Sequence, residues 1–398
     1  MEAGAVGFAM SVAMKKGRSH AGATLTIDLA AIRWNYRFLA DQVGPRVRCG
    51  GVVKADAYGL GASQVAPVLY DAGCRDFFVA HLDEALNLRP HLPSNISLVV
   101  LNGLLPGCEV DCAAAGIVPV LNSLEQLDAW SACARKMGRA LGAVIQIDSG
   151  MSRLGLPLGE MKELAAALGA RTSGINVRLV MSHLACADSD GQGANGSQRA
   201  RFQLLASAFK GIPLSLANSS GIFLGRDFHL DAVRPGAALY GINPTPSQPN
   251  PMRPVVGMTA AIIQLREIQA GDHVGYGWDY CAPRAARLAT LSIGYADGLR
   301  RTLGKAGMVY FEGLALKIVG RVSMDTITVD LADLPAERLP LGTAIELIGP
   351  HQSVDQLAVA SGTIGYEILT ALGHRYQRNY HGIADGLQAR EGQGDREQ

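Results

Sequence analysis

The chain has no run of apolar residues long enough to cross a bilayer as a helix. No partnership with a membrane is therefore expected. It also lacks a charge excess. Lys and Arg number 36 against 35 Asp and Glu, which leaves a formal net charge of +1. The basic face that nucleic-acid binding requires is not expected on such a chain. Cysteine is sparse and unpatterned: seven residues, with no C-x-x-C pair. That argues against a disulfide framework or a structural zinc site, and for a reducing, cytoplasmic setting with no metal. The N-terminus lacks the order of a secretory signal. Glu2 comes first, then a weak apolar run, and only then Lys15, Lys16 and Arg18. Residues 1–23 are expected to be a disordered extension, with Met10 or Met14 as an alternative start. A polar tail over 391–398 is expected to be disordered as well.

What is present is apolar residue in quantity. Hydrophobic residues make up 48% of the 398 and charged residues 18%, enough for more than one buried core. Over the first two-thirds of the chain, short β-branched runs alternate with Ala/Leu-rich amphipathic stretches such as Ser123–Lys136 and Ser197–Phe209. Eight runs follow in order: Gly51–Lys54, Phe77–His81, Ser97–Asn102, Val118–Asn122, Ala143–Asp148, Val177–His183, Leu214–Asn218 and Leu230–Arg234. Eight β-α units predict an α/β fold, a (β/α)8 TIM-like barrel over 24–243. Each run ends on a polar or ionisable residue. In such a barrel the C-terminal strand ends form the active-site mouth.

Asn243–Pro254 holds five prolines and closes this pattern. Beyond it, Met258–Leu265, Leu288–Ile293, Leu316–Val319, Thr326–Asp330 and Ala344–Ile348 read as strands of a mostly β domain spanning 244–390. The strand-like Thr24–Asp28 precedes the barrel and is a candidate to pair with that domain.

Lys54 lies at the end of the apolar run Gly51–Lys54. Partial desolvation there would lower its pKa and free an amine able to form a Schiff base. By itself such a lysine is equally an ordinary surface residue. The sequence around it changes the reading. Lys54-Ala-Asp-Ala-Tyr58-Gly-Leu-Gly61 resembles the pyridoxal-phosphate lysine motif of the alanine racemase family. The resemblance runs from about Thr24 to Gly382. It takes in Asp148-Ser-Gly-Met-Ser-Arg153, Ser182-His183-Leu-Ala, Asn218-Ser-Ser, Val233-Arg234-Pro-Gly236, Gly275-Tyr276-Gly, Gly294-Tyr295-Ala-Asp-Gly and Gly320-Arg-Val-Ser-Met324-Asp325, all in family order.

The resemblance implies a homodimer with shared sites that interconverts L- and D-alanine and supplies D-alanine for peptidoglycan. Lys54 would hold the cofactor and act as base on one face of the substrate Cα. Tyr276, from the other subunit, would act on the opposite face. A free tyrosine ionises near about 10, so a chain from Tyr276 through His183 to Arg234 would assist it. Arg234 would also donate to the cofactor ring nitrogen, keeping the ring a weak electron sink and suppressing transamination. Tyr58, Asn218, Ser219, Gly236, Ala237 and Tyr366 correspond to the cofactor-binding set, chiefly around the phosphate. Arg153 and Met324, the latter again from the partner, would hold the substrate carboxylate. Tyr295, Arg301 and Arg321 correspond to the access corridor and its support.

One position departs from the family pattern. Many members carry a carbamylated lysine two residues before Asp148, where this chain has Gln146. A neutral amide can hydrogen-bond Arg153 without neutralising it, so a bound anion such as chloride, or nothing, is expected in the carbamate's place. Three other readings remain. A broad-specificity or serine racemase would use the same scaffold, although the bulk of Tyr366 favours alanine. A non-catalytic pyridoxal-phosphate carrier would lack the β domain. A related decarboxylase would carry a C-terminal cysteine-aspartate motif that is not evident here.

Overall fold

The computed structural model describes residues 20–189, 193–332, 334–335 and 338–382. Most of the expected extension over 1–23 and all of the tail over 391–398 lie outside the described residues. The mostly parallel part is a barrel. Its strands are Arg48–Cys49, Gly51–Val52, Asp76–Val79, Ser97–Val100, Val118–Leu121, Leu141–Gln146, Ile175–Met181, Leu214–Ser215 and Ala232–Val233. The first two are one strand interrupted at Gly50. Gly51 pairs with Phe77 on one side, and Arg48 pairs with Ala232 on the other, so the sheet comes round on itself. The first barrel strand thus starts earlier than the apolar run beginning at Gly51 suggested, because its outer end carries the polar Arg48.

The intervening helices form for ordinary reasons. In Leu124–Met137, the Ser123 hydroxyl accepts from the Gln126 N–H at 3.3 Å and opens the helix; Gly138, left-handed, ends it. Leu124, Leu127, Trp130, Ser131 and Ala134 share its buried stripe. Each aliphatic side chain buried this fully contributes about 1.5–3 kcal/mol. Trp130, Phe77, Phe202 and Tyr240 are among the largest fully buried side chains.

The second unit is an eight-stranded sheet, antiparallel except at one edge. The long strand Val256–Ile268 is its spine, pairing with Ala286–Leu291 and with Ala344–Ile348. Ala23–Asp28 joins the same sheet, antiparallel to Val256–Ile268 and parallel to Gln377–His381. Within the described residues the chain therefore runs from the β unit through the barrel and back. Two helices, Val354–Ser361 and Gly365–Thr370, sit between the last strands and were not apparent from the sequence. Among the described residues no helix is long and apolar enough to cross a membrane.

Candidate active site

Each of the eight polar residues that close the apolar runs sits just past a barrel strand, on the same end of the barrel. Lys54 follows Val52, His183 follows Met181 and Arg234 follows Val233. Lys54, Arg153, His183 and Arg234 are close enough to perturb one another. Burial holds the Lys54 ammonium below its ordinary pKa, and the Arg153 charge adds to this; Glu84 opposes it. Burial likewise pushes His183 down to about 3, helped by Arg234, Arg153 and Lys54, so the imidazole is neutral at physiological pH.

The backbone after Lys54 is unusual. Ala55, Asp56, Ala57 and Tyr58 have φ of 52–57°, a left-handed turn built from four residues with side chains. Left-handed helical geometry costs about 1–2 kcal/mol for each L-residue. Such strain persists only where the surroundings impose it. The far end of the turn is tied down by the β unit. Arg378 Nη1 donates to the Gly59 carbonyl at 2.6 Å, and the Tyr380 hydroxyl donates to the Leu60 carbonyl at 2.9 Å. The turn delivers Tyr58 into a stack of rings, 4.8 Å from Tyr240 and 6.1 Å from Tyr366.

The Tyr58 hydroxyl lies against Gly236, where an added Cβ would sit 2.5 Å from it. Gly236 precedes a 3-10 turn, Ala237–Tyr240. The Ser219 hydroxyl accepts from the Gly236 N–H at 2.9 Å and the Ala238 N–H at 3.2 Å. Between them, the Ala237 N–H has no acceptor among the described residues, although Ala237 is buried. Asn218 precedes Ser219, and its side-chain oxygen accepts from the Gly221 N–H at 2.9 Å.

Arg234 is buried, and burial pushes it down to about 10, which leaves it cationic at neutral pH. It donates to the Ser215 hydroxyl, to the Ser182 carbonyl at 2.6 Å and to the Leu216 carbonyl at 3.5 Å. No carboxylate pairs with it among the described residues. Arg153 also makes no hydrogen bond or ion pair there. Its loop is shaped by Asp148, whose Oδ1 accepts from the Gly150, Met151 and Ser152 N–H groups at 2.8–3.1 Å. Gln146 does not hydrogen-bond Arg153. It is buried, and its amide donates to the Leu154 carbonyl at 3.3 Å. The short side chain satisfies its own loop instead of reaching the guanidinium.

A second constellation sits on the β unit. Tyr276 is 72% exposed, Met324 52% and Tyr295 40%. The Tyr295 N–H donates to the Ser323 carbonyl at 3.0 Å, and the Ala296 N–H donates to the Met324 carbonyl at 3.0 Å, so Tyr295 and Met324 travel together. Asp297, buried, takes two bonds from Arg375, which also reaches Asp325 at 2.7 Å and clamps the two loops. Arg321, expected at the access corridor, is held bidentately by Asp279. Both it and Arg301 line a cavity of ≈ 660 Å³ together with Lys305 and Lys317. No hydrogen bond, ion pair or ring contact among the described residues joins Tyr276, Met324 or Arg301 to Lys54, Arg153 or His183.

Asp297 stood in the Gly294-Tyr295-Ala-Asp-Gly motif without an assigned role, whereas Ser215, Glu84, Asp279 and Arg375 were missed in the sequence. Of these, only Glu84 had a local signal, at the third position of the helix Leu82–Leu88.

The model of the alanine racemase N-terminal domain matches residues 27–244, and that of the C-terminal domain matches 255–380. A catabolic alanine racemase of Rhizobium johnstonii is 53% identical over 361 residues, 90% of this chain and 95% of that protein. An alanine racemase of Brucella ovis is 48% identical over 373 residues, 90% and 94% of the respective lengths. Among solved structures, alanine racemase from Bartonella henselae with covalently bound pyridoxal phosphate superposes with a TM-score of 0.87 at 45% identity. It covers 91% of this chain and 100% of the other. The biosynthetic enzyme of Pseudomonas aeruginosa gives 0.83 at 36% identity, over 91% and 100%. The chain belongs to the alanine racemase family.

Proposed function

We propose that this protein interconverts L- and D-alanine, using pyridoxal phosphate held on Lys54 and a second base, Tyr276, from another copy of the chain. The observation that carries this reading is the barrel mouth itself. A lysine amine held below its ordinary pKa lies within electrostatic reach of a neutral histidine and of Arg153, and the histidine within reach of the buried Arg234; among the described residues neither arginine has a carboxylate partner.

The residues fit the cofactor. The buried Ala237 N–H lacks an acceptor among the described residues, and the Ser219 and Tyr58 hydroxyls flank it, which suits a phosphate. Tyr366 and Tyr240 pack the Tyr58 ring from outside. When bound, pyridoxal phosphate supplies an electron-withdrawing ring that acidifies the Cα–H of the attached amino acid. Arg234 stays cationic and can only donate, so toward a bound cofactor it would leave the ring nitrogen unprotonated and limit competing chemistry. Lys54, freed as an amine, takes or returns a proton on one face of Cα. In this reading the neutral His183, within electrostatic reach of Arg234, would link it to the second base. Arg153 holds the substrate carboxylate, and the Met324 backbone of a second copy assists.

Support for two copies comes from the exposure of Tyr276, Tyr295 and Met324 on one unit, with no link to Lys54 among the described residues. In this reading residues 24–243 carry the cofactor and 244–390 carry the second base, in a cytoplasmic homodimer. D-alanine leaves for peptidoglycan. A degradative direction of the same reaction is the second reading, favoured by the catabolic designation of the Rhizobium relative.

Chiral analysis after incubation with L-alanine and pyridoxal phosphate tests the activity. Enantiomers have equal free energies in water, so equal amounts of L- and D-alanine are expected, and none with Lys54→Ala. No D-alanine from the intact protein, or a higher kcat/KM for L-serine, overturns the assignment.

A further inference from the structure

Glu84 stands on the barrel unit next to the one that carries Lys54. The strand Gly51–Val52 runs parallel to Asp76–Val79, and the helix Leu82–Leu88 follows the second of these. The Glu84 carboxylate reaches across this gap. Its Oε1 accepts from the Ala55 N–H at 2.6 Å. Its Oε2 accepts from the Ala80 N–H at 2.6 Å and the His81 N–H at 3.1 Å. Only the His81 bond is needed to cap a helix. The Ala55 bond serves a different element: it engages the first peptide after Lys54, where the left-handed turn begins. Among the described residues, Glu84 is the one side chain bonded to the backbone of Lys54–Tyr58.

We propose that Glu84 is a positioning residue for Lys54: its carboxylate pins the start of the left-handed turn Ala55–Tyr58 to the neighbouring strand end and so fixes where the lysine amine and the Tyr58 hydroxyl stand. The inference rests on the reading of Lys54 as the cofactor lysine. The turn needs two anchors, because a chain left free at either end would relax toward right-handed geometry. Arg378 and Tyr380 anchor the far end. Glu84 anchors the near end, and its two oxygens are divided between the two strand ends. The same carboxylate acts on the Lys54 ammonium, against burial and Arg153. It therefore favours the charged amine as well as placing it.

Glu84→Gln separates this role from helix capping. Glutamine is accepted at the capping position, so the His81 bond can persist. The amide has one oxygen, however, and its NH2 must turn toward a backbone N–H on the other side. In the full-length enzyme with cofactor, kcat is expected to fall about tenfold or more, with KM for alanine nearly unchanged, because small misplacements of reacting groups are costly. In full-length protein stripped of cofactor, competitive acetylation of Lys54 read by peptide mass should show its pH midpoint lowered, since a negative charge is gone. Melting should stay near wild type. That labelling does not depend on racemisation, so a protein that fails to racemise but shows the shift keeps Glu84's role and loses only the assigned activity. Wild-type kcat and midpoint in Glu84→Gln would reduce Glu84 to a helix cap. Loss of kcat and of thermal stability with an unmoved midpoint would also overturn the proposal. If the glutamine variant does not fold, Glu84→Asp replaces it. Aspartate keeps the charge and shortens the reach, so kcat should fall with the Lys54 midpoint retained, and wild-type kcat would refute the anchor.

Discussion

Gly236→Ala should collapse the cofactor cradle, and its size can be worked from the contacts around one atom. An added Cβ would stand 2.5 Å from the Tyr58 hydroxyl oxygen, 3.2 Å from Cζ of the same ring and 3.3 Å from Cβ of Val52. Comfortable separations are about 3.5–4.0 Å, so the hydroxyl must retreat by roughly 1 Å. It has little room to do so. The Tyr58 ring backs onto Tyr240, which is fully buried and fixed by its own bond to the Val52 carbonyl at 2.9 Å. The Tyr58 backbone is already committed to the left-handed turn. Gly236 has φ −129°, so alanine adds no φ penalty and the whole effect is steric. Overpacking of this kind costs about 1–3 kcal/mol.

Gly159→Ala is the matched control. It lies exposed in the helix Leu158–Ala166 with nothing within 4 Å of the added methyl, and it should gain about 0.5–1 kcal/mol. Urea unfolding and a pyridoxal-phosphate titration read by absorbance measure both variants. The two substitutions should move stability in opposite directions, and only Gly236→Ala should weaken cofactor binding. A Gly236→Ala protein with wild-type stability and cofactor affinity would show that Tyr58 and Gly236 are not the tight pair described.

Two further outcomes are expected. Lys54→Ala and Tyr276→Phe should each be nearly inactive, yet equal mixtures should recover about a quarter of wild-type activity. Half of the dimers are then mixed, and each has one complete site; no recovery after verified subunit exchange would exclude shared sites. His183 is depressed from 6.5 to about 3. The unfolded chain therefore takes up a proton that the folded one refuses as pH drops through this window, and stability should fall between about 6.5 and 3. Urea midpoints across that range should fall less in His183→Asn than in wild type, and equal slopes would place His183 in ordinary solvent.

Much of this was legible in sequence because a parallel barrel writes its geometry locally. A strand buried on both faces must be continuously apolar, and a charge such as Lys54 or Arg234 at its end has nowhere to go but the mouth. The alternation of runs and amphipathic stretches therefore fixed the barrel, and the motif around Lys54 pointed to the cofactor chemistry. The first strand was placed late because Gly50 interrupts it and its outer half is polar.

What the sequence could not show is how distant or strained backbone is held. Ala55, Asp56, Ala57 and Tyr58 carry no preference for a left-handed turn; only the anchors supplied by other segments impose it. Arg321 and Asp279, 42 residues apart in sequence, are brought together only by folding. Arg375 and Asp297 are separated by 78 positions and meet because the sheet returns on itself. Gln146 turned to the Leu154 carbonyl rather than Arg153, a choice made by loop geometry. The sequence by itself determined which residues are apolar, which end a strand and which carry the chemistry of Lys54. The tertiary structure alone decided which charges find partners and which stay free, because pairing depends on distance in space and the chain encodes only distance along itself.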